Sequence, residues 1–272
     1  MRHPFWRFLG VLAVVLAAAL PDARADKPPT KGKPDEKKTE PHDPPPGPHA
    51  DHAWGHFKVG SWVKTKSTTK SDVENASGGG IPTTEVVSEM KYTLKEIRED
   101  SYVLDMDITN FGNTQSMPME YKFDPLGPGV EPPKVLQEKD EELKAACETW
   151  KCHYTKTEGA GMQGPETIET WKCDEAPGGV VKKITSSDMA GQKVTTVMTL
   201  DKKEDKIDVG GKKLKCWVLK MSTDAPPNNS SSSTIWFSHD VPGFMVKCDS
   251  TSKDSASKTE SHMEVTGFEA KD

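Results

Sequence analysis

The chain has 272 residues, 33% of them hydrophobic and 29% charged, and a formal net charge of −6. Its lysines are interleaved with acids, as in residues 202–215 (KKEDKIDVGGKKLK), so no uncompensated basic stripe forms. Nucleic-acid binding runs on clustered cations that neutralise phosphates, and this pattern argues against it.

Residues 1–25 read as an export signal. Arg2, His3 and Arg7 give a basic start, Phe8 to Leu20 form an unbroken apolar run, and Ala23-Arg24-Ala25 is an A-x-A cleavage site. The run falls short of the about 20 residues that span a bilayer. The first cysteine in the chain is Cys147, so none follows the run to carry a lipid anchor. The expectation is a mature chain from Asp26, soluble and without a transmembrane segment, in the periplasm or outside the cell. Residues 26–53 are rich in Pro, Lys, Asp and Glu with almost nothing apolar, the composition of a disordered, partly polyproline-II tether. His42, His49, His52 and His56 carry imidazoles, but no spacing fixes a ligand geometry, and no metal or cofactor is assigned.

Residues 54–272 read as one β domain. Val86, Ser88, Met90, Tyr92 and Leu94 alternate in a strand, as do Tyr102, Leu104, Met106 and Ile108, and then Trp217, Leu219 and Met221. One apolar and one wet face is the pattern of antiparallel sheet. Pro177-Gly178 and Pro242-Gly243 suit type II turns, and Glu99-Asp100, Glu204-Asp205 and Gly210-Gly211 mark further hairpins. Only Val135 to Ala146 competes for helix, and a short helix is allowed there. A proline-rich loop, Asp124 to Pro133, precedes it.

One phrase recurs three times: WGHFKVGSWVK (Trp54 to Lys64), WKCDEAPGGVVK (Trp171 to Lys182) and WFSHDVPGFMVK (Trp236 to Lys247). Gly60, Gly178 and Gly243 each lie four residues before the lysine. Residues 143–152 match 207–216, and 171–200 match 236–265, at offsets of 64 and 65 residues. The reading is a half repeat (54–95), an insertion (96–137) and two full repeats (138–201 and 202–267) of a four-strand unit. The expected fold is all-β: a curved, mostly antiparallel sheet, as a half-barrel or open barrel. Trp54, Trp62, Trp171 and Trp236 would pack within the repeat, or else offer a sugar- or peptide-stacking platform; Trp54, Trp171 and Trp236 open the three phrases.

The hairpin Thr234-Ile235-Trp236-Phe237-Ser238 with Pro242 and Val246-Lys247 resembles one in the half-barrel lipoprotein-carrier superfamily (LolA/LolB-like). The stretch Phe57-Lys58-Val59-Gly60-Ser61-Trp62-Val63-Lys64 is similar to one in uncharacterised secreted bacterial repeat proteins. Neither resemblance maps a ligand-facing residue onto this chain.

Five cysteines in an exported chain invite bridges and leave one over. Cys152 with Cys173, and Cys216 with Cys248, are the disulfide candidates, with Cys147 free; buried free thiols and a metal site are the alternatives. Ser-x-x-Lys occurs at Ser61–Lys64, Ser67–Lys70, Ser250–Lys253 and Ser255–Lys258, without the partner motifs of penicillin-recognising enzymes. The functional expectation is a non-catalytic extracytoplasmic protein that binds an apolar ligand, a lipid moiety or a partner peptide on its sheet. A structural or interaction protein of the cell envelope is the alternative, and a hydrolase without familiar motifs the third.

Overall fold

A computed structural model describes residues 52–73, 83–110, 112–123, 132–161, 164–189, 191–225 and 228–271. The export signal and the tether as far as residue 51 lie outside the described residues, with His42 and His49. The first four strands are β1 (Trp62–Val73), β2 (Thr84–Ile97), β3 (Ser101–Asn110) and β4 (Asn113–Lys122). Then come β5 (Lys134–Ala145), β6 (Glu148–Gly161), β7 (Gly164–Lys172), β8 (Val180–Met189) and β9 (Gln192–Val209). The last four are β10 (Lys212–Ala225), β11 (Asn229–Phe237), β12 (Met245–Lys253) and β13 (Ser257–Glu269).

All thirteen join one sheet in the order β4-β3-β2-β1-β13-β12-β11-β10-β9-β8-β7-β6-β5, each neighbour antiparallel to the next. Two meanders, β1 to β4 and β5 to β13, are joined into this sheet by the non-consecutive pair β1 and β13. Its two edges, β4 and β5, are consecutive in the chain. Laid flat, thirteen strands would hold those edges about 58 Å apart. The segment from Lys122 to Lys134 reaches at most about 43 Å when fully extended. The sheet must therefore curl, and it does so as an open barrel.

Along one face, a row of facing residues crosses six strands: Ser67, Met263, Cys248, Ile235, Leu219 and Leu200, all buried. Four residues further along the strands the row on the same face reads Ser71, Thr259, Ser252, Ser231, Thr223 and Thr196. Hydroxyls bond across it, Ser71 with Thr259 at 3.2 Å and Thr196 with Thr223 at 3.0 Å. This face thus grades from aliphatic to hydroxyl. The aliphatic end is filled: Leu94, Val181 and Val241 are 0% exposed and Leu200, Ile235 and Val246 1%.

Three readings of the sequence are corrected. Residues 135–146 form β5 and a turn, not a helix, because the segment pairs with β6 along its length and half-buries Glu141, Leu143 and Ala145 at every second position. Glu204-Asp205 lies within β9, since Lys206 to Val209 go on pairing with β10 beyond it. Residues 96–137, read as an insertion into the repeat, hold β3 and β4, which extend the same sheet. Trp54 stands in a loop of turns ahead of β1, so the first phrase is not a hairpin.

The turn in the phrase nevertheless has one geometry in all three places. Ser61, Gly179 and Phe244 each donate an amide N–H to the carbonyl three residues back, at 3.0, 2.8 and 2.8 Å. Gly60, Gly178 and Gly243 occupy the third position with φ of 91°, 72° and 83°, which glycine adopts without strain.

Candidate functional site

Tryptophan packing comes first, because it decides which aromatic rings are free to bind anything. The Trp171 indole N–H donates to Glu141 at 2.5 Å, and the Lys182 ammonium lies 5.1 Å from the ring centre. Trp236 makes the same pair of contacts, with Asp205 at 3.0 Å and Lys247 at 4.6 Å. A third such group is Trp62, with Glu269 at 3.0 Å and Lys91 at 4.9 Å. The indole that matches Trp171 and Trp236 in its partners is therefore Trp62, not Trp54. Trp54 instead covers the turn at Gly243, where Ala53 accepts the Gly243 N–H at 2.9 Å, as Trp217 covers the turn at Gly178. Each ring is occupied by a carboxylate, a cation or a turn, and a stacking platform is not what these residues build.

Open space lies elsewhere, on the polar face of the sheet. A cavity of about 590 Å³ is lined by residues of β1, β11, β12 and β13, among them Lys70, Thr234, Asp249, Glu260 and His262. A second, of about 920 Å³, continues toward the far loops past Asp72, Asp224, Lys253 and Lys258. Register explains their continuity. Thr68, His262, Asp249 and Thr234 form one cross-strand rung; Lys70, Glu260, Thr251 and Ser232 form the next; Asp72, Lys258, Lys253 and Ser230 form the third. Rungs two residues apart rise about 6.6 Å along the strands. From the first of these rungs to the third, the furrow runs about 13 Å, the length of four extended residues.

The second rung carries both signs of charge in Lys70 and Glu260, and the third in Asp72 with Lys258 and Lys253. His262 Nδ1 sits 2.5 Å from Asp249, and Lys247 is 2.9 Å from the same carboxylate. His262 Nε2 faces Glu264 at 3.5 Å, and Lys258 pairs with Glu260 at 2.6 Å. Burial pushes the Asp249 carboxyl up, but hydrogen bonds from Lys247 and His262 outweigh it and hold the group below the usual carboxylate range. Glu260 holds the Lys258 ammonium above its ordinary value. Paired charges of this kind, exposed and close, contribute about 0–1 kcal/mol each, so a ligand can exchange partners with them at small cost.

The turn glycines and tryptophans named from the sequence lie at one end of the sheet, apart from this furrow. All five cysteines are unbridged, Cys147 exposed at a hairpin tip and the other four buried. Cys216 on β10 and Cys248 on β12 have β11 between them, which rules out that candidate pair: two strand spacings alone exceed the about 7 Å a bridge can span. Cys152 and Cys173 face each other by continuation of the His153–Lys172 register. Sequence reasoning missed the furrow. Its one local signal is the run Ser230 to Thr234, and the charges join it only through cross-strand register.

No family model and no curated protein matches the chain. Among solved structures, one that aligns with this chain is a protein of Bacteroides fragilis described as exported, with a YmcC-like fold, at 10% identity and a TM-score of 0.32 over 78% of this chain and 99% of that one. Another is the hypothetical lipoprotein YmcC of Escherichia coli, at 10% identity and 0.25 over 74% and 87%. Among the described residues no helix is long and apolar enough to cross a membrane.

Proposed function

We propose that the chain is an exported, non-catalytic interaction module that holds an extended polar segment of a partner protein in the furrow of its sheet. Of the apolar ligand, lipid moiety and partner peptide that the sequence leaves open, the peptide suits the furrow's chemistry. One observation carries this reading: the aliphatic face is filled, while the open space is lined by hydroxyls and by rungs that pair a cation with an acid. Charge-balanced rungs repel neither sign and reward neither a polyanion nor a polycation. They match the alternating donors and acceptors of a peptide backbone with mixed side chains.

A hydrolytic role finds little support in the same groups. His262 and Asp249 have the pairing of a base and its orienting acid, yet the second imidazole nitrogen faces Glu264 and not a hydroxyl nucleophile. The test is a peptide-display selection on the immobilised protein. Enriched peptides should bind the parent and lose at least tenfold in affinity to a Lys70→Glu/Asp249→Lys variant. No enrichment, or equal binding to that variant, would overturn the reading.

A further inference from the structure

Near the β5 edge of the sheet, Cys152 of β6 and Cys173 just past β7 each lie one residue beyond the paired His153 and Lys172. The ladder pairs His153 with Lys172, and one further step of the same register would set the two cysteines opposite each other; the Cys152 thiol feels Cys173 beside it. Both are buried, at 2% and 7% exposure. The Cys173 N–H is tied to the Gly179 carbonyl at 3.0 Å, so the turn holds the residue in place. Directly opposed strand residues meet the separation a disulfide needs.

The same place recurs deeper in the sheet with different chemistry. Trp217 pairs with Phe237, and one further step of that register would set Cys216 opposite Ser238. Both are buried, at 1%. A thiol faces a thiol only in the copy at the rim, where β6 is one strand from the edge and β5 has no second neighbour. In the inner copy, β9 and β10 are held by further strands on both sides, and a serine fills the position.

We infer that Cys152 and Cys173 are an oxidative staple that locks the edge hairpin of the open barrel, independently of what the furrow binds. The oxidant is a disulfide of the surrounding compartment, protein-borne or small. One cysteine thiolate attacks it, forming a mixed disulfide and releasing one thiol. The second cysteine thiolate then attacks the mixed disulfide, closing the Cys152–Cys173 bond and releasing the other thiol. Two protons and two electrons leave the pair, and one disulfide is reduced to two thiols. In the packed protein, burial, the neighbouring Cys173 and Glu141 push the Cys152 thiol up to about 11, so the exchange belongs to the hairpin before it packs.

The experiment is refolding of the reduced full chain in a glutathione disulfide buffer, followed by denaturation, thiol counting and non-reducing tryptic mapping. Three free thiols, Cys147, Cys216 and Cys248, are expected, with residues 152–156 (CHYTK) linked to residues 173–182 (CDEAPGGVVK). Reductant should lower the melting temperature. Five free thiols, or a linkage through Cys147, would overturn the proposal. A Ser238→Cys variant tests the register separately: a second bridge, to Cys216, should leave two free thiols. Four free thiols in that variant would show that opposed positions here do not close, and would sink the geometric argument.

Discussion

A β-carbon at Gly178 would stand 3.2 Å from Trp217 Nε1, and one at Gly243 would stand 3.4 Å from Trp54 Nε1. At Gly60 the contact is with the end of the Lys271 side chain, which can swing away. All three need φ > 0, so each valine variant carries backbone strain of about 1–3 kcal/mol. The ring contacts separate them: Gly178→Val should lower the melting temperature most, Gly243→Val next and Gly60→Val least. His239 lies nearby, its ring 4.6 Å from Trp217 and 4.9 Å from Phe244. Burial against these rings, and then the nearby His56, hold its pKa below the ordinary value, with Asp240 opposing. A depressed imidazole binds fewer protons in the folded chain than in the unfolded one. Stability should therefore fall as pH drops from about 6.5 through the folded pKa of His239. A series of thermal melts from pH 8 to pH 5 should show this slope, and His239→Gln should flatten it.

Hairpins set the next scale. The β5–β6 and β9–β10 hairpins both run beyond their neighbours and lean across the sheet. Lys203 of β9 meets Glu148 at 3.5 Å and the Trp150 ring at 5.3 Å; Lys212 lies 4.8 Å from the Phe268 ring. Their tips turn through two consecutive residues with φ > 0, Gly210 and Gly211 in one and Ala146 and Cys147 in the other. An L-residue in that region costs about 1–2 kcal/mol. Ala146→Gly should raise stability by up to about 1 kcal/mol, measured as a shift of the denaturation midpoint. At this scale the sequence is legible where local chemistry decides and opaque where register does. Pro-Gly pairs announce their turns, and Tyr102 to Ile108 announce a strand by period two alone. The helix-forming letters of Val135 to Ala146 mislead because pairing with β6 outweighs local propensity. The Glu141, Asp205 and Glu269 carboxylates share one spacing in the chain, yet their common role with an indole emerges only when the strands are laid side by side. The furrow is less legible still, since its rungs join residues from four strands that share no motif.

For the molecule as a whole, the decisive feature is the junction of β1 with β13. It brings Trp62 beside Glu269, two residues 207 apart in the chain. The Lys58 amide also reaches the Lys271 carbonyl at 3.0 Å, so the two ends of the described chain meet. Without β13, strands β1 to β4 would be a separate four-stranded ribbon. The curl of the sheet and the continuity of the furrow both depend on that single non-consecutive ladder, because the furrow's rungs cross it.

That junction imposes a waiting time. A chain made from its N-terminus presents β1 to β4 early and β13 last. Closing a loop of some 200 residues costs on the order of 5 kcal/mol of chain entropy before the ladder returns anything. Until then, one side of β1 is a bare row of amides and carbonyls, the kind of edge on which chains stick to one another. The composition of β1 suits a strand that must wait. In WVKTKSTTKSDV, lysines stand at 64, 66 and 70, and its inward positions 65, 67, 69 and 71 carry hydroxyls instead of aliphatic groups. Lys66→Val should leave the melting temperature nearly unchanged, since Lys66 is exposed in the finished sheet. The same change should raise the turbidity of a refolding mixture and lower the yield of monomer, because its damage falls on the interval before β13 pairs with β1.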